Sequence, residues 1–254
     1  MRFLLFLMLA LPAIAGREFS HNPQKFGHLP STTIATNLHG ASGVSASAWV
    51  RPNYFLSSTD CNDVVTAFFG GTTAALNLRV GFSLLSGGYV VGSVRRQSSD
   101  SNSARLSTNT LTAGVWSHIA VTVAYGSHPK VYINGVESVG STAGSSASSA
   151  GTFVSSAATV PDGIGCVPTT GPALLNTNRV FQGYMAEVGV WRRELSASDV
   201  LELANGAPPS SKLNGLIVNT PLVGQGSTEV NTVGTVCTVT NSPAFANHPR
   251  IYRP

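Results

Sequence analysis

Residues 181–195 read FQGYMAEVGVWRREL. From Phe181 to Trp191 the residues follow the two-residue period of a strand, not the 3.6-residue period of a helix. Strict alternation puts Ala186, Val188 and Val190 in one row, and Met185, Glu187, Gly189 and Trp191 in the other. The run leads into Ser196-Ala197-Ser198-Asp199. A hydroxyl at the cap and a carboxylate three residues on are the side chains of a capping box. Asp199 also suits the positive end of a helix dipole. Val200, Leu203 and Ala204 fall on one helical face, Asn205-Gly206 is a left-handed stop, and Pro208-Pro209 forbids continuation. The spacing predicts a strand feeding one short helix near 197–205.

Working outward, strand signals dominate. Val44, Ala46, Ala48 and Val50 share a face before Pro52-Asn53 ends the run. Leu76–Leu85 and Tyr89–Arg95 are two strands joined through Ser86-Gly87-Gly88. Ile119, Val121, Val123 and Tyr125 line one side of a clean alternation that begins at Trp116. Val131-Tyr132-Ile133 returns from it, and Asn134-Gly135 is the pair best suited to a type I′ turn. The stretch Trp116–Val139 is therefore a meander. Residues 140–159 are rich in Gly, Ser, Ala and Thr, which fits an insertion or a weakly packed strand pair. Many short strands with one helix predict an all-β sandwich or jelly roll, with a single domain over residues 16–254.

Composition narrows the class. Charged residues are 10% of the 254, against about 25% in typical soluble domains. Hydrophobic residues are 43%, ample for a core. Net charge is +4, with no basic run interleaved with stacking aromatics, so a nucleic-acid groove is not expected. Residues 1–15 carry Arg2, an apolar run from Phe3 to Ala15, and the small-x-small site Ala13-Ile14-Ala15. These are the parts of a secretory signal cleaved before Gly16, and the run falls short of the roughly 20 residues of a membrane span. No later run is long enough to cross a membrane. Cys61, Cys166 and Cys237 lack C-x-x-C spacing, which leaves one disulfide plus a thiol, or three buried thiols.

Several of these motifs occur in a familiar order. VSASAWVRP (44–52), WSHIAVTV (116–123), KVYINGVE (130–137) and FQGYMAEVGVWRRELSASDVLEL (181–203) together resemble the laminin-G-like group of concanavalin A-like jelly rolls. Gly183, Met185, Glu187, Val188, Val190, Trp191, Leu195, Ser196, Asp199 and Val200 match that group's strand-to-helix pattern. Gly16–Ser20 resembles a diverged first strand, and Leu222–Gly224 and Thr238–Thr240 resemble its closing segments. The resemblance implies two curved antiparallel sheets, and it leaves function open, because related domains bind glycans, bind proteins, accompany enzymes or build particle surfaces.

The chemistry-bearing residues are few. Retaining glycosidases want two carboxylates about 5–5.5 Å apart, and no acid stands two or four residues from Glu187. No Gly-x-Ser-x-Gly elbow and no His-Glu-x-x-His helix occurs. Glu187 is then a scaffold carboxylate or a ligand contact. Tyr54, Tyr89 and Tyr184 are the surface aromatics that could stack on a sugar, whereas Trp49, Trp116 and Trp191 match core positions of the resembled family. Calcium is the one cofactor to consider, at Asp60, Asn62 and Asp63 or at Asp162, where the same residues equally serve turn capping. The expectation is a non-enzymatic, secreted or surface recognition module that binds glycan or a protein surface through loops at the sandwich rim. The alternative is a structural or adhesion protein of a viral or other particle surface, whose partners are copies of itself and other particle proteins.

Overall fold

The protein is described from a computed structural model, over residues 15–19, 26–29, 33–55, 62–69, 78–84, 86–95, 103–124, 126–143, 162–166, 181–223, 227–229, 237–240 and 245–247. The strands in chain order are Ala15–Phe19 (β1), Phe26–Leu29 (β2), Gly43–Pro52 (β3), Asn62–Phe69 (β4), Leu78–Leu84 (β5), Tyr89–Arg95 (β6), Ser103–Thr110 (β7), Ser117–Ala124 (β8), Lys130–Ile133 (β9), Val136–Glu137 (β10), Thr142–Ala143 (β11), Asp162–Ile164 (β12), Gly183–Trp191 (β13), Leu216–Thr220 (β14), Thr228–Glu229 (β15), Cys237–Thr240 (β16) and Phe245–Asn247 (β17). Among the described residues two α-helices accompany them, Thr33–Leu38 (α1) and Ala197–Ala204 (α2).

The first sheet runs β10-β9-β8-β3-β13-β1-β17, with β14 also on β13. The second runs β11-β7-β6-β5-β4-β12-β2-β16-β15. The two-sheet antiparallel sandwich that the resemblance implies is the observed architecture. Its core draws Val44, Ala46, Ala48 and Val50 from β3, Ile119, Val121 and Val123 from β8, and Val90 and Val94 from β6. Each Val or Ile side chain among them contributes about 1.5–3 kcal/mol when fully buried. The sheets approach closely at Gly92, where an added Cβ would lie 2.8 Å from both methyl carbons of Val121. The meander is as expected. Asn134 and Gly135 have φ of 50° and 82°, the left-handed pair of a type I′ turn.

A second, smaller core lies on the outer face of the first sheet. Trp191, Leu195, Val200, Leu203 and Leu216 pack there with Ala120 and Tyr132 beneath α2. The capping box is present: the Asp199 N–H donates to the Ser196 hydroxyl at 3.1 Å, and the Ser196 N–H donates to Asp199 Oδ2 at 3.2 Å. The Trp191 indole N–H donates to the Lys212 carbonyl at 2.8 Å.

Three expectations are corrected. Strict alternation fails in β13. Ala186 pairs with Trp49 and Gly189 with Ser47, so Glu187 and Val188 together oppose Ala48 in a β-bulge. Met185 therefore shares the inter-sheet core with Val188 and Val190, while Trp191 turns outward to α2. The bulge sits where β13 changes neighbour, from β1 at residues 183–185 to β14 at residues 188–191. Next, a second helix exists. α1 is only six residues long and buries Ile34 and Leu38 in the main core. Lastly, Trp49 and Trp116 are half-buried and not core residues, and only Trp191 of the three tryptophans is fully enclosed.

The expected first strand forms as β1, and residues 238–240 lie in β16. Leu222 and Val223 are outside any strand. Residues 1–14, 144–159 and 248–254 fall outside the described residues. No helix among the described residues is long and apolar enough to cross a membrane.

Candidate functional site

One end of the sandwich gathers the exposed aromatics. β3 ends at Pro52, whose carbonyl accepts the Gly114 N–H at 2.7 Å, and the Asn53 N–H donates to the Gln182 carbonyl at 2.8 Å. These bonds tie three segments together: the end of β3, the 111–116 loop and the entry to β13. On that frame the Tyr54 hydroxyl donates to Gln182 Oε1 at 3.2 Å. Gln182 is buried, whereas Tyr54 is 51% exposed. The buried amide thus fixes an exposed ring.

Arg51 and Tyr184 pair across β3 and β13. The guanidinium carbon lies 5.5 Å from the Tyr184 ring centre, within cation–π range. Its Nε donates to the Gly114 carbonyl at 2.9 Å, which holds the group over the ring. Glu18 is the next residue in the same row, opposite Tyr184 on β1. The Trp116 ring spreads over Gly16, where an added Cβ would come within 2.5 Å of it.

Tyr89 reaches the same end from the second sheet. The Gly88 carbonyl accepts the Leu111 N–H at 2.9 Å. An added Cβ at Gly88 would lie 2.9 Å from the ring of Phe55, the neighbour of Tyr54. So the structure brings Tyr54, Tyr89 and Tyr184 to one rim, and adds Arg51, Gln182 and Trp116. Sequence reading missed these three. Their signal is the cross-strand register, which alternation does not reveal.

Glu187 is elsewhere. It is 3% exposed, sits in the bulge at φ 51°, and donates its N–H to the Pro221 carbonyl at 3.1 Å. A left-handed backbone costs a non-glycine residue about 1–2 kcal/mol, so the surrounding packing holds it there.

The acids considered for calcium lie in two places. Asp60 lies outside the described residues, and Asn62 and Asp63 are in β4 and not in a loop. Asp162 is fully buried in β12, where its Oδ2 accepts the Ile34 N–H at 2.8 Å and so caps α1. Its Oδ1 is buried without a hydrogen-bond partner. Burial pushes the Asp162 carboxyl up to about 7, against the smaller lowering by the Ile34 N–H. One such oxygen falls far short of the six to eight that calcium takes. Among the described residues no three His, Cys, Asp or Glu side chains gather around a point.

His118 pairs with Trp49 in the ladder and stacks edge-on against its ring, centroids 5.5 Å apart. Burial lowers its imidazole to about 3. It is a neutral, structural ring at ordinary pH. Cys166 and Cys237 are buried, and Cys61 lies outside the described residues.

The rim can therefore offer flat aromatic faces beside a planar cation and an amide. Sugars present apolar C–H faces and hydroxyls, which such a set complements.

Comparison with known proteins bears on this geometry. Residues 27–201 match the family model described as the concanavalin A-like lectin/glucanases superfamily. No curated protein gives a match. Among solved structures, a candidate carbohydrate-binding protein from Bacteroides ovatus superposes with a TM-score of 0.60 at 19% identity. The match covers 91% of this chain and 59% of that one, so this chain spans little more than half of that protein. A heptameric SAP-like pentraxin from Limulus polyphemus gives a TM-score of 0.52 at 14% identity, covering 89% of this chain and 93% of that one. At such identities the likeness is one of fold.

Proposed function

The chain belongs to the concanavalin A-like lectin/glucanase superfamily, and on that premise we propose that it is a non-enzymatic recognition module that binds glycan at its aromatic rim. The observation that carries this reading is the Arg51–Tyr184 stack beside the exposed, Gln182-anchored Tyr54. The Bacteroides ovatus protein of like fold, itself described in terms of carbohydrate binding, supports it. The lack of a second carboxylate two or four residues from Glu187 weighs against glycosidase chemistry. In this reading residues 1–15 are a secretory leader and the mature chain works outside the cell.

A glycan array on the full mature chain tests it. Saturable binding that falls about tenfold or more in Tyr184→Ala and in Tyr54→Ala is the expected result, since one well-placed stack contributes about 1–3 kcal/mol. Binding untouched by both substitutions, or no hit at all, defeats the reading.

The second reading is assembly on a particle surface. It is favoured by Val136, Val139 and Leu201, each large, apolar and at least 46% exposed. Light scattering distinguishes the two: a stable high-order oligomer with no glycan hit selects assembly, and a sugar-binding monomer rejects it.

A further inference from the structure

The turn between β13 and α2 faces the β9–β10 hairpin across a pocket of about 360 Å³. That volume is within the range of about 300–1,000 Å³ of small-molecule sites. Lys130, Tyr132 and Glu137 form one wall, and Arg193, Glu194 and Ser196 the other. The second wall is fixed in advance. The fully buried Ser45 hydroxyl donates to the Arg193 carbonyl at 2.9 Å and accepts the Leu195 N–H at 2.8 Å. Gly43 lets β3 pass close to that turn, since an added Cβ there would lie 2.7 Å from the Glu194 nitrogen.

The charges say what the pocket can take. Lys130 Nζ lies 2.9 Å from Glu194 Oε1. Its ammonium is held above the usual range by the hydrogen bond to Glu194, which outweighs partial burial, with help from the Glu194, Tyr132 and Glu137 charges. Arg193 is committed elsewhere, with NH1 on Asp199 Oδ2 at 3.1 Å and Nε on the Asn214 carbonyl at 2.7 Å. Two carboxylates, Glu137 and Glu194, thus surround one available cation. A free anion meets repulsion there. An apolar ligand would strand these groups without water. Two carboxylates alone are a poor metal donor set. What fits is a neutral molecule whose neighbouring groups each donate and accept. Adjacent ring hydroxyls do this: each can donate to a Glu194 or Glu137 oxygen and accept from the Lys130 ammonium.

We infer that this pocket is a saccharide subsite for one neutral pyranose unit, separate from the rim. Ser45 and Arg51 are six residues apart on β3, which places the two about 20 Å from one another. The inference rests on the pocket's own residues and stands or falls apart from the rim reading.

The test is an amide-resonance titration of the full mature chain with the methyl glycosides of glucose, galactose and mannose. The expected result is a saturable shift at Glu194, Ser196, Ala197 and Glu137 with at least one glycoside. Affinity should fall about tenfold in Glu194→Gln and in Glu137→Gln, as a charge-assisted hydrogen bond weakens to a neutral one. Unchanged amide spectra in the free variants show that they fold, and Glu137 is exposed enough for its variant to do so. Shifts confined to the rim amides of Tyr184 and Gly114 overturn this inference while supporting the rim reading. Shifts confined to the pocket do the reverse. No shift with any glycoside, or pocket shifts indifferent to both substitutions, overturns it.

Discussion

Leu195 and Ser45 lie 150 residues apart in sequence and are joined by a 2.8 Å hydrogen bond from the Leu195 N–H to the Ser45 hydroxyl. The same hydroxyl holds the Arg193 carbonyl, so one buried side chain satisfies two backbone groups of the turn before α2. Ser45→Ala leaves both without that partner. It should destabilise the fold by about 1–3 kcal/mol. Urea unfolding measures this, and an unchanged midpoint would show that the turn is held by other means.

Gly92 marks a close approach between the sheets. Gly92→Ala puts a methyl against Val121 at 2.8 Å, with Val131 at 3.2 Å. Both neighbours are fully packed, so the expected loss is about 1–3 kcal/mol by overpacking. A melting temperature equal to the parent's would contradict the close approach.

The helix cap can be tested alone. Ser196→Ala removes the acceptor for the Asp199 N–H and should cost about 1 kcal/mol, while Ser196→Asp restores most of it. Thermal unfolding of the two variants should rank them in that order. Equal losses would mean that the side-chain oxygen is not what matters.

Stability against pH should show two opposed contributions. Asp162 has a folded-state value near 7, above its unfolded value near 4, so it favours the fold on acidification from about pH 7 to about pH 4. His118 has a folded-state value near 3, below its unfolded value of 6.5, so it disfavours the fold on acidification below about 6.5. The two largely offset in the parent. Asp162→Asn should expose a stability that falls steadily as pH drops through this window, and His118→Gln one that rises. Unfolding curves at pH 4, 5.5 and 7 would decide it; parallel profiles for all three proteins would rule out both titrations. Asp199 adds a separate acid limb. Burial alone would raise its carboxyl, but the Ser196 backbone N–H, Arg193, the Ser196 hydroxyl and Lys212 bring it down to about 2. That contribution is lost as pH falls from about 4 through about 2.

What sequence reading could find was what local rules decide. The β8–β9–β10 meander follows from alternation and Asn134-Gly135, and α2 from its own cap residues. α1 escaped because six residues are too few to show a helical period. Its Ile34 N–H is met by the Asp162 carboxylate, 128 residues later. The core placement of Trp49 and Trp116 rests on the family pattern, and period two cannot check it, because it sorts residues into two faces without saying which face is inside. Ser45, Ser47 and Trp49 point away from the inter-sheet core, and only the packed partner shows this. The rim is half legible for the same reason. An exposed tyrosine is visible as a residue type, but its pairing with Arg51 or Gln182 is a matter of register.

The bulge at Glu187 makes β13 a strand that is out of step with itself. One added residue lets its first half feed the space between the sheets through Met185 and its last residue, Trp191, anchor a helix on the opposite side. Deleting that residue would leave every packing group and hydrogen-bonding group downstream in place, yet point each the wrong way. The fault would be one of phase and not of chemistry. The two cores are kept apart by a count of one, and a shortened relative would have to lose α2 or rebuild the seat on which it rests.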